Sequence, residues 1–345
     1  MKTRIICTLG PASESPEMLK KLIGVGLGVA RINCTHASIE DIQNRTRDVK
    51  AIRSELGTDT IVMLDTKGPD VRIGKFENGT IELAEGDLFT FDTDPAKTDV
   101  LGNEKWVYVN WTTMPQKVQI GQELRLCDGM VFLNVEKIEG TKVMGRVFIG
   151  GTVKNKKSLA APGCDLGLKF ISDLDEADIK AGCAAGIDWV AASFVSCKQD
   201  VLDMRELLKK HGGEHVKIVS KIESRFGVNN MDEIIEATDG VMVARGDMGI
   251  ELDVEELPVV QKILIAKTKA AGKFIATATE MFESMIEKPR PTRAEVSDVA
   301  NAVWDGTDLV MLSAETTVGK YPVRCVDYMR RAAEYAEKHP EYNRI

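Results

Sequence analysis

The sequence predicts a (β/α)₈ TIM barrel, an α/β fold, with a small β-barrel-like domain inserted after the third strand. One observation is a unit that recurs eight times, in which a short apolar run ends in a polar residue and a helical pattern follows. A second is that residues 68–156 do not follow this repeating pattern. A third is length: without those 89 residues, the 345-residue chain keeps 256, close to the roughly 250 of a bare barrel.

The eight apolar runs are predicted to be parallel strands. They are almost continuously apolar, which is typical of strands buried on both faces of a sheet. A doubly wound open sheet would show a similar local pattern, but eight units favour closure into a barrel. The runs span residues 4–8, 29–33, 61–66, 187–194, 216–223, 240–247, 273–279 and 308–315.

Helix signals lie between the runs. Ser15 followed by Pro16 is an N-cap with proline at the first helical position, and Ser38 and Thr292 open capping-box patterns. Glycines supply the expected helix stops. They are Gly24, Gly57, Gly186, Gly212 and Gly272.

The segment between the third and fourth runs is predicted to be a separate β-rich domain. It contains short alternating stretches at 80–83, 106–109 and 123–126, with turn signals at Asn78-Gly79 and Asp128-Gly129. We therefore assign residues 1–67 and 157–345 to the barrel and residues 68–156 to the inserted domain.

Composition limits the classes of protein to consider. An apolar fraction of 43% with 28% charged residues is ordinary for a globular protein, and a net charge of −8 argues against nucleic acid as a partner. The seven cysteines contain no Cys-x-x-Cys pair, so we expect reduced thiols. No signal sequence or long apolar run is present, so the prediction is a cytoplasmic protein without a membrane partner.

Polar side chains end several of the predicted strands, where the loops of such barrels form the active site. Arg31 lies near the end of strand two, Lys221 and Glu223 form an i, i+2 pair at strand five, and Asp247 ends strand six. Glu223 and Asp247 would repel each other unless a cation lay between them, and Mg²⁺ prefers one or two carboxylates plus substrate oxygens. The sequence therefore indicates a magnesium site, with a purely structural carboxylate pair as the alternative.

Eight motifs follow one another along nearly the whole chain. They are Cys7-Thr-Leu-Gly-Pro-Ala-Ser13, Ala30-Arg-Ile-Asn33, Leu64-Asp-Thr-Lys-Gly-Pro69, Ser220-Lys-Ile-Glu223, Met242-Val-Ala-Arg-Gly-Asp247, Glu283-Ser-Met-Ile286, Lys288-Pro-Arg-Pro-Thr-Arg-Ala-Glu295 and Ser297-Asp-Val-Ala-Asn-Ala302. In this order they closely resemble the pyruvate kinase family. The resemblance implies a catalytic barrel with a mobile inserted lid, and transfer of the phosphoryl group of phosphoenolpyruvate to ADP, which gives pyruvate and ATP in glycolysis.

The resemblance also implies roles for individual residues. Lys221, Arg31 and Thr279 would be catalytic: Lys221 and Arg31 bind the phosphoryl group, and Thr279 lies in the proton path to the enolate, with Ser313 and Glu315 behind it. The backbone around Ala244, Arg245 and Gly246, together with Asp247, would bind the substrate carboxylate.

The ions and the nucleotide are assigned in the same way. Glu223 and Asp247 would hold Mg²⁺ or Mn²⁺. The K⁺ ligands would be Asn33, Thr35, Asp65 and Thr66. The residues implied for ADP or ATP are Pro11, Asn33, His36, Arg72, Lys156 and Lys157, and Asp128 would contribute from the lid.

The sequence departs from the family pattern at several positions. Asp70 stands where K⁺-dependent members have Glu, and its acidity argues for K⁺ dependence. Family members usually continue into a C-terminal regulatory domain, so we expect effector control of that type to be absent. The remaining departures are Cys34-Thr35, Cys127, Ala160, Phe226 and Glu280.

Two alternatives remain open. A truncated or degenerate core could bind phosphoenolpyruvate and Mg²⁺ without turnover. A different enolate-forming barrel, such as an aldolase or lyase, would explain the acidic pair but not the lid or the Lys67-Gly-Pro69 motif. The stretch from Lys288 to Glu295 resembles the family's barrel-to-barrel interface, so we also expect a homo-oligomer, a dimer or a tetramer.

Overall fold

The computed structural model describes residues 2–344 and begins with three strands separated by two helices. Ser15 accepts a hydrogen bond from the amide of Met18 at the first helix, and Ser38 forms a capping box with Asp41 at the second. The first helix continues past the expected stop at Gly24 and ends at Gly26, whose positive φ of 125° only glycine adopts readily. The elements are β1 (Arg4–Thr8), α1 (Pro16–Val25), β2 (Leu27–Asn33), α2 (Ile39–Leu56) and β3 (Ile61–Asp65).

The chain then leaves the barrel and forms the inserted domain. Its strands alternate buried and exposed residues, as the sequence predicts, and enclose a core of their own around Phe89, Phe91 and Trp111. Its elements are β4 (Thr80–Leu83), β5 (Leu88–Asp92), β6 (Trp106–Tyr108), α3 (Met114–Lys117), β7 (Glu123–Leu126), β8 (Val131–Glu139), β9 (Lys142–Ile149), β10 (Gly151–Lys154) and β11 (Leu159–Ala160).

The inserted domain extends beyond the expected boundary at residue 156. Strand β11 pairs with β7, and Leu159 and Ala161 belong to the core of this domain. Leu166 and Leu168 pack against the same core. The predicted boundary is therefore too early: the basic turn at 154–157 is typical of a connection, but the chain forms one more strand of this domain before it returns to the barrel.

The remainder of the chain completes the barrel with five further strands and their helices. Its elements are α4 (Asp173–Ala185), β12 (Trp189–Ala192), α5 (Lys198–Lys210), β13 (Lys217–Ile222), α6 (Arg225–Asn229), α7 (Met231–Ala237), β14 (Gly240–Ala244), α8 (Arg245–Glu251), α9 (Leu257–Ala270), β15 (Phe274–Ala278), α10 (Arg293–Trp304), β16 (Leu309–Leu312), α11 (Ala314–Thr317) and α12 (Pro322–Glu337). Within residues 2–344, no helix combines the length and apolar character needed to cross a bilayer.

The eight barrel strands form one closed parallel sheet. Their order is β1-β16-β15-β14-β13-β12-β3-β2, and β1 pairs with both β2 and β16. The predicted TIM barrel is therefore confirmed, and the open sheet is excluded. The inserted domain carries a separate six-stranded sheet and a two-stranded ribbon.

The barrel interior is a packed core. Side chains such as Met63, Met242 and Met311 fill it. At its base the rings of Trp189 and Phe274 stack with centroids 4.6 Å apart. Because side chains fill the interior, a substrate site is expected at the rim of the barrel, at the end where the strands finish.

Several strands end earlier than the sequence indicates. Helix α8 begins at Arg245, directly after β14, so Asp247 lies in a helix and not on a strand. Strand β15 ends at Ala278, because Thr279 turns the chain with a φ of 70°. The polar residues at the mouth therefore lie on the first turns after the strands.

Candidate active site

A buried group of charged side chains lies at the carboxyl end of the barrel strands. Lys221, at the end of β13, places its Nζ 3.1 Å from Oδ1 of Asp65 at the end of β3. Arg31, on β2, donates through Nε to the other Asp65 oxygen at 2.5 Å. Asp65 thus joins the two cations that the sequence assigns to the phosphoryl group.

The charges of these three groups stabilise one another. Burial by itself would raise the pKa of Asp65, but Arg31 and Lys221 outweigh it and hold that pKa below its ordinary value. Burial would lower the pKa of Lys221, but the carboxylates of Asp65 and Glu223 raise it above its usual range. Lys221 is therefore a charged ammonium at neutral pH.

Arg31 keeps part of its guanidinium free. Its Nη1 donates to Oγ1 of Thr8 at 2.8 Å, while Nε is used by Asp65. Among residues 2–344 no acceptor is recorded for Nη2. Since a guanidinium has five N–H donors in a planar fork, Arg31 is fixed on one edge and retains donors for an anion.

Two hydroxyl groups that the sequence did not single out belong to this group. Ser193, which follows β12, accepts a hydrogen bond from Lys221 Nζ at 2.7 Å and donates to the carbonyl of Thr66 at 2.6 Å. Thr8 orients Arg31. Each is a polar residue that ends an apolar strand, and this signal could have identified both.

Glu223 has one buried oxygen, Oε1, that accepts no well-aligned hydrogen bond among residues 2–344 and is paired with the Lys221 ammonium. Its Oε2 accepts a hydrogen bond from the amide of Phe194 at 2.6 Å. Its Oε1 lies 3.0 Å from Lys221 Nζ but lacks hydrogen-bond geometry. Burial raises the pKa of Glu223, and the nearby carboxylates of Asp247 and Asp65 add to this against the opposing charge of Lys221. A buried carboxylate oxygen without a donor is suited to a cation.

The donor set at this point fits a hard divalent cation with open positions. Asp247, on the first turn of α8, faces the mouth and is exposed. Across the described residues, no three His, Cys, Asp or Glu side chains are grouped to hold a metal by themselves. Mg²⁺ prefers coordination by one or two carboxylates, with its remaining coordination positions occupied by water and substrate oxygens.

Thr279 and Arg245 form a second polar arrangement beside this site. Thr279 adopts a positive φ, which is strained for a β-branched residue, and its hydroxyl accepts a hydrogen bond from the amide of Gly246 at 2.8 Å. Arg245 holds the same turn: its guanidinium donates to the carbonyls of Ala278 and Thr279 and pairs with Asp298. Arg245 therefore positions the turn with its side chain, and only its backbone faces the site predicted for the substrate carboxylate.

Ser313 and Glu315 lie at the start of α11 and are not bonded to Thr279. Glu315 accepts hydrogen bonds from the amides of Phe282 and Ser313. These bonds tie the last barrel loop to the loop after β15.

Among residues 2–344, the predicted K⁺ ligands Asn33, Asp65 and Thr66 already accept hydrogen bonds from protein donors, whereas the exposed hydroxyl of Thr35 does not. Asn33 and Asp65 are register partners on β2 and β3. The side chain of Asn33 accepts from the amide of Thr35, and Thr66 Oγ1 accepts from the amide of Ser193. None of these ligand oxygens is both buried and without a donor among residues 2–344, so the K⁺ assignment remains a prediction.

The predicted nucleotide residues fall into two groups. Pro11, Asn33 and His36 line a cavity of about 520 Å³ beside Arg31. Arg72 and Lys156 line a different cavity of about 390 Å³ on the inserted domain. The structure therefore does not bring all six into one cavity.

The remaining predicted residues of the inserted domain form a polar cluster near its connection to the barrel. Asp128 accepts hydrogen bonds from Lys157 Nζ at 3.1 Å and Ser158 Oγ at 2.7 Å. Arg72 pairs with Asp70 and donates to the carbonyl of Lys156. Lys157 is thus paired, whereas Lys156 is exposed and has no ion pair among the described residues.

Comparison with known proteins gives consistent matches. The family model described as pyruvate kinase, barrel domain, matches residues 1–326. Pyruvate kinase of Clostridium perfringens is 42% identical over 99% of this chain and 72% of its own length. Pyruvate kinase of Geobacillus stearothermophilus is 44% identical over the whole chain and 58% of its own length, and that of Thermotoga maritima is 39% identical over 99% and 72%. The chain thus spans 58% to 72% of the length of these relatives.

Proposed function

The chain belongs to the pyruvate kinase family, and from this premise we propose that it transfers the phosphoryl group of phosphoenolpyruvate to ADP, forming pyruvate and ATP. The observation that carries the proposal is the group of Lys221, Arg31 and Asp65 beside the unsatisfied oxygen of Glu223. Phosphoryl transfer requires positioned positive charge and little covalent participation by the protein.

Lys221 and Arg31 bind and neutralise the phosphoryl group in this proposal. Both side chains are held by Asp65, so little reorganisation is needed when charge shifts during transfer. Arg31 presents the free edge of its guanidinium to phosphoryl oxygens. Lys221 is protonated and lies next to Glu223, which places it to stabilise negative charge on the enolate oxygen as well.

Glu223 and Asp247 would hold the divalent cation, Mg²⁺ or Mn²⁺. When bound, this ion supplies positive charge to the oxygens of substrate and phosphoryl group. The unsatisfied oxygen of Glu223 and the mouth-facing Asp247 support this assignment. No step is assigned to K⁺, whose predicted ligands are Asn33, Thr35, Asp65 and Thr66.

The substrate carboxylate would lie against the turn formed by Ala244, Arg245 and Gly246. The hydrogen bond from Gly246 N–H to Thr279 Oγ1 would be exchanged for one to substrate. The Thr279 hydroxyl is then free to act in the proton path to the enolate. Its strained backbone supports a functional role, because such strain is concentrated at active sites.

The nucleotide would enter through the cavity formed by Pro11, Asn33 and His36. Its phosphates would then lie beside Arg31. Arg72, Lys156 and Lys157 would approach from the lid, whose closure excludes water that could otherwise accept the phosphoryl group.

The test is a coupled assay of pyruvate formation with Mg²⁺ and K⁺ present. Lys221→Met is expected to lower kcat by at least about 100-fold, since it removes one stabilising donor from the transition state. Binding of phosphoenolpyruvate should remain detectable by calorimetry. Lys217→Met is the matched control, because Lys217 lies on the same strand but is exposed at its opposite end.

The outcomes separate the candidate functions. No pyruvate from the unmodified protein at saturating ligands would reject the proposal, and binding without turnover would favour the non-catalytic core. Undiminished turnover in Lys221→Met would contradict the role of Lys221.

The predicted homo-oligomer requires its own test, which is sedimentation velocity. The stretch from Lys288 to Arg290 is exposed, as an interface requires.

A further inference from the structure

Arg125 connects the inserted domain to the barrel. It lies on β7, and its guanidinium Nη1 donates to two barrel carbonyls, Ile250 at 2.8 Å and Leu252 at 3.0 Å. Its Nη2 also lies 3.4 Å from the carboxylate of Asp253. Only 12% of the Arg125 side chain is exposed, so the contact is largely shielded from water.

Contacts within the lid fix the orientation of the Arg125 guanidinium. Arg125 Nε donates to Glu123 at 2.7 Å, and the guanidinium lies 5.7 Å from the centre of the Phe132 ring on β8. Because these lid contacts fix the planar fork, less side-chain entropy is lost when it binds the barrel. Arg125 therefore presents a pre-organised group of donors.

The acceptors lie at the carboxyl end of α8. The last carbonyls of a helix lack intrahelical donors, and a cation there also interacts favourably with the helix dipole. The opposite end of α8 carries Gly246, which bonds Thr279, and Asp247, the proposed cation ligand. Arg125 thus contacts one end of a seven-residue helix whose other end belongs to the active site.

The Arg125 contact differs from the other polar contacts near the boundary of the inserted domain. Gln122, Lys117 and Trp111 bond the return segment, at Pro162, Asp165 and Leu166. Some hydrogen bonds run from a lid strand to the barrel itself and not to the segments that connect the two domains. Within the described part of the chain, these bonds are made by Arg125. Its contact therefore depends on where the lid lies over the mouth.

We propose that Arg125 is a positioning residue, which couples the closed lid to α8 and so orients Asp247 and the turn at Gly246 for the reaction. This inference rests on the proposed function for its catalytic consequence. The exposed pair with Asp253 contributes little, as surface ion pairs usually do. The two carbonyl bonds are the contact that matters.

The first experiment measures kinetics in the full chain. Arg125→Ala should raise the Mg²⁺ concentration for half-maximal activity and the KM for phosphoenolpyruvate by about 5- to 10-fold, because the loss of a charge-assisted hydrogen bond reduces the population of the closed, ordered state. Arg125→Lys should recover only part of this effect, since one ammonium cannot reproduce the fork. Unchanged constants in Arg125→Ala would overturn the proposal.

Two variants serve as controls. Arg146→Ala removes a lid arginine that pairs with Glu136 within the lid and does not reach the barrel. Asp253→Ala removes the exposed partner and keeps both carbonyl bonds. Both should behave like the unmodified protein. If Asp253→Ala matches Arg125→Ala, the effect comes from the ion pair and the role assigned to the carbonyl bonds is wrong.

A second measurement does not depend on turnover. Hydrogen exchange of the α8 amides, including that of Leu252, which bonds the carbonyl of Met248, should become faster in Arg125→Ala and not in Arg146→Ala. Equal protection in all variants would contradict the coupling to α8. If the unmodified protein has no activity, the proposed function fails, while this measurement still decides whether Arg125 orders the helix.

Discussion

Lys221 keeps its charge in a place where burial disfavours an ammonium. The compensation comes from Asp65, which also neutralises Arg31, and from Glu223. One buried aspartate thus holds two cations in fixed positions beside the open mouth. This is the condition under which charged side chains can stabilise a migrating phosphoryl group.

Ser193 provides a test of this arrangement at the level of one residue. Ser193→Ala removes the hydrogen bond to Lys221 Nζ and the one to the carbonyl of Thr66. We expect kcat to fall about 10-fold, because loss of a hydrogen bond to a charged group costs about 1.5 kcal/mol or more. Steady-state kinetics provide the measurement. Ser196→Ala is the control, since Ser196 bonds Asp200 at the start of α5 and not Lys221; an equal loss in both variants would contradict the role of Ser193.

Glu251 should make stability depend on pH. Burial raises its pKa from 4.5 to about 7, opposed by the amide of Gly163, Arg125 and Arg225 and supported by Asp247. A carboxyl group with a raised pKa binds its proton more tightly when folded, so its contribution is present below pH 4.5 and is lost as pH rises through about 7.

Glu251→Gln removes that titration. The Tm of this variant relative to the unmodified protein is expected to increase between pH 4.5 and pH 7, the window set by the two pKa values. Thermal unfolding across this range measures it. The exposed Glu255→Gln is the control; a Tm difference that is constant with pH in Glu251→Gln would count against the prediction.

The short helix α8 shows how contacts between neighbouring elements position a residue of the site. Its residues continue an apolar strand in sequence, but the chain turns into a helix at Arg245. The turn is held from β15, where Arg245 bonds the carbonyls of Ala278 and Thr279. Neighbouring strands thus determine where β14 ends, and this moves Asp247 to a helical turn.

Strand packing at the barrel base gives an element-level prediction. Gly240 begins β14, and a Cβ atom there would lie well inside van der Waals contact with the Phe274 ring. Gly240→Ala should therefore destabilise the protein by about 1–3 kcal/mol through overpacking. Denaturant unfolding monitored by circular dichroism measures this change.

Two further variants make this prediction specific. Adding Phe274→Leu to Gly240→Ala should recover part of the lost stability, because it removes the ring that the new methyl group meets. Gly24→Ala, in helix α1 with no atom near the new methyl group, should be neutral or stabilising by up to about 1 kcal/mol. A Gly240→Ala protein as stable as the parent would show that the base of the barrel is not tightly packed.

Among the described residues, the two largest hydrophobic cores are separate from each other. One lies between the barrel strands and their helices, and the other lies within the inserted domain around Phe89 and Trp111. They share no residue. Because unfolding is cooperative within a core, the lid should be able to unfold while the barrel remains folded.

Phe89→Ala tests this independence. It should destabilise the lid by about 3–5 kcal/mol, as truncation of a fully buried aromatic side chain usually does. Hydrogen exchange in increasing urea should show an earlier transition in lid peptides and an unchanged one in barrel peptides. Ile275→Ala, in the barrel core, should give the reverse pattern, and equal shifts in both domains would contradict two independent units.

Much of this architecture could be predicted from local pattern. The eight apolar runs, the capping residues Ser15 and Ser38, and the alternation of the inserted strands each depend on neighbours in sequence. The end of the inserted domain could not be predicted in the same way, because β11 is recognised only by its pairing with β7. Ser193 and Thr8 lie at strand ends that the sequence indicates, but only the closed barrel brings their hydroxyls to Lys221 and Arg31.

The sequence by itself determined the closed barrel, the inserted domain and the identity of the charged residues at the strand ends, because burial on both faces and helix capping are encoded by residues close together along the chain. Only the tertiary structure decided which oxygens of those residues are satisfied. Asp65 turns both of its oxygens toward Arg31 and Lys221, whereas Glu223 keeps one without a donor. These contacts join strands that are far apart in sequence, and the closure of the barrel sets the distances between them.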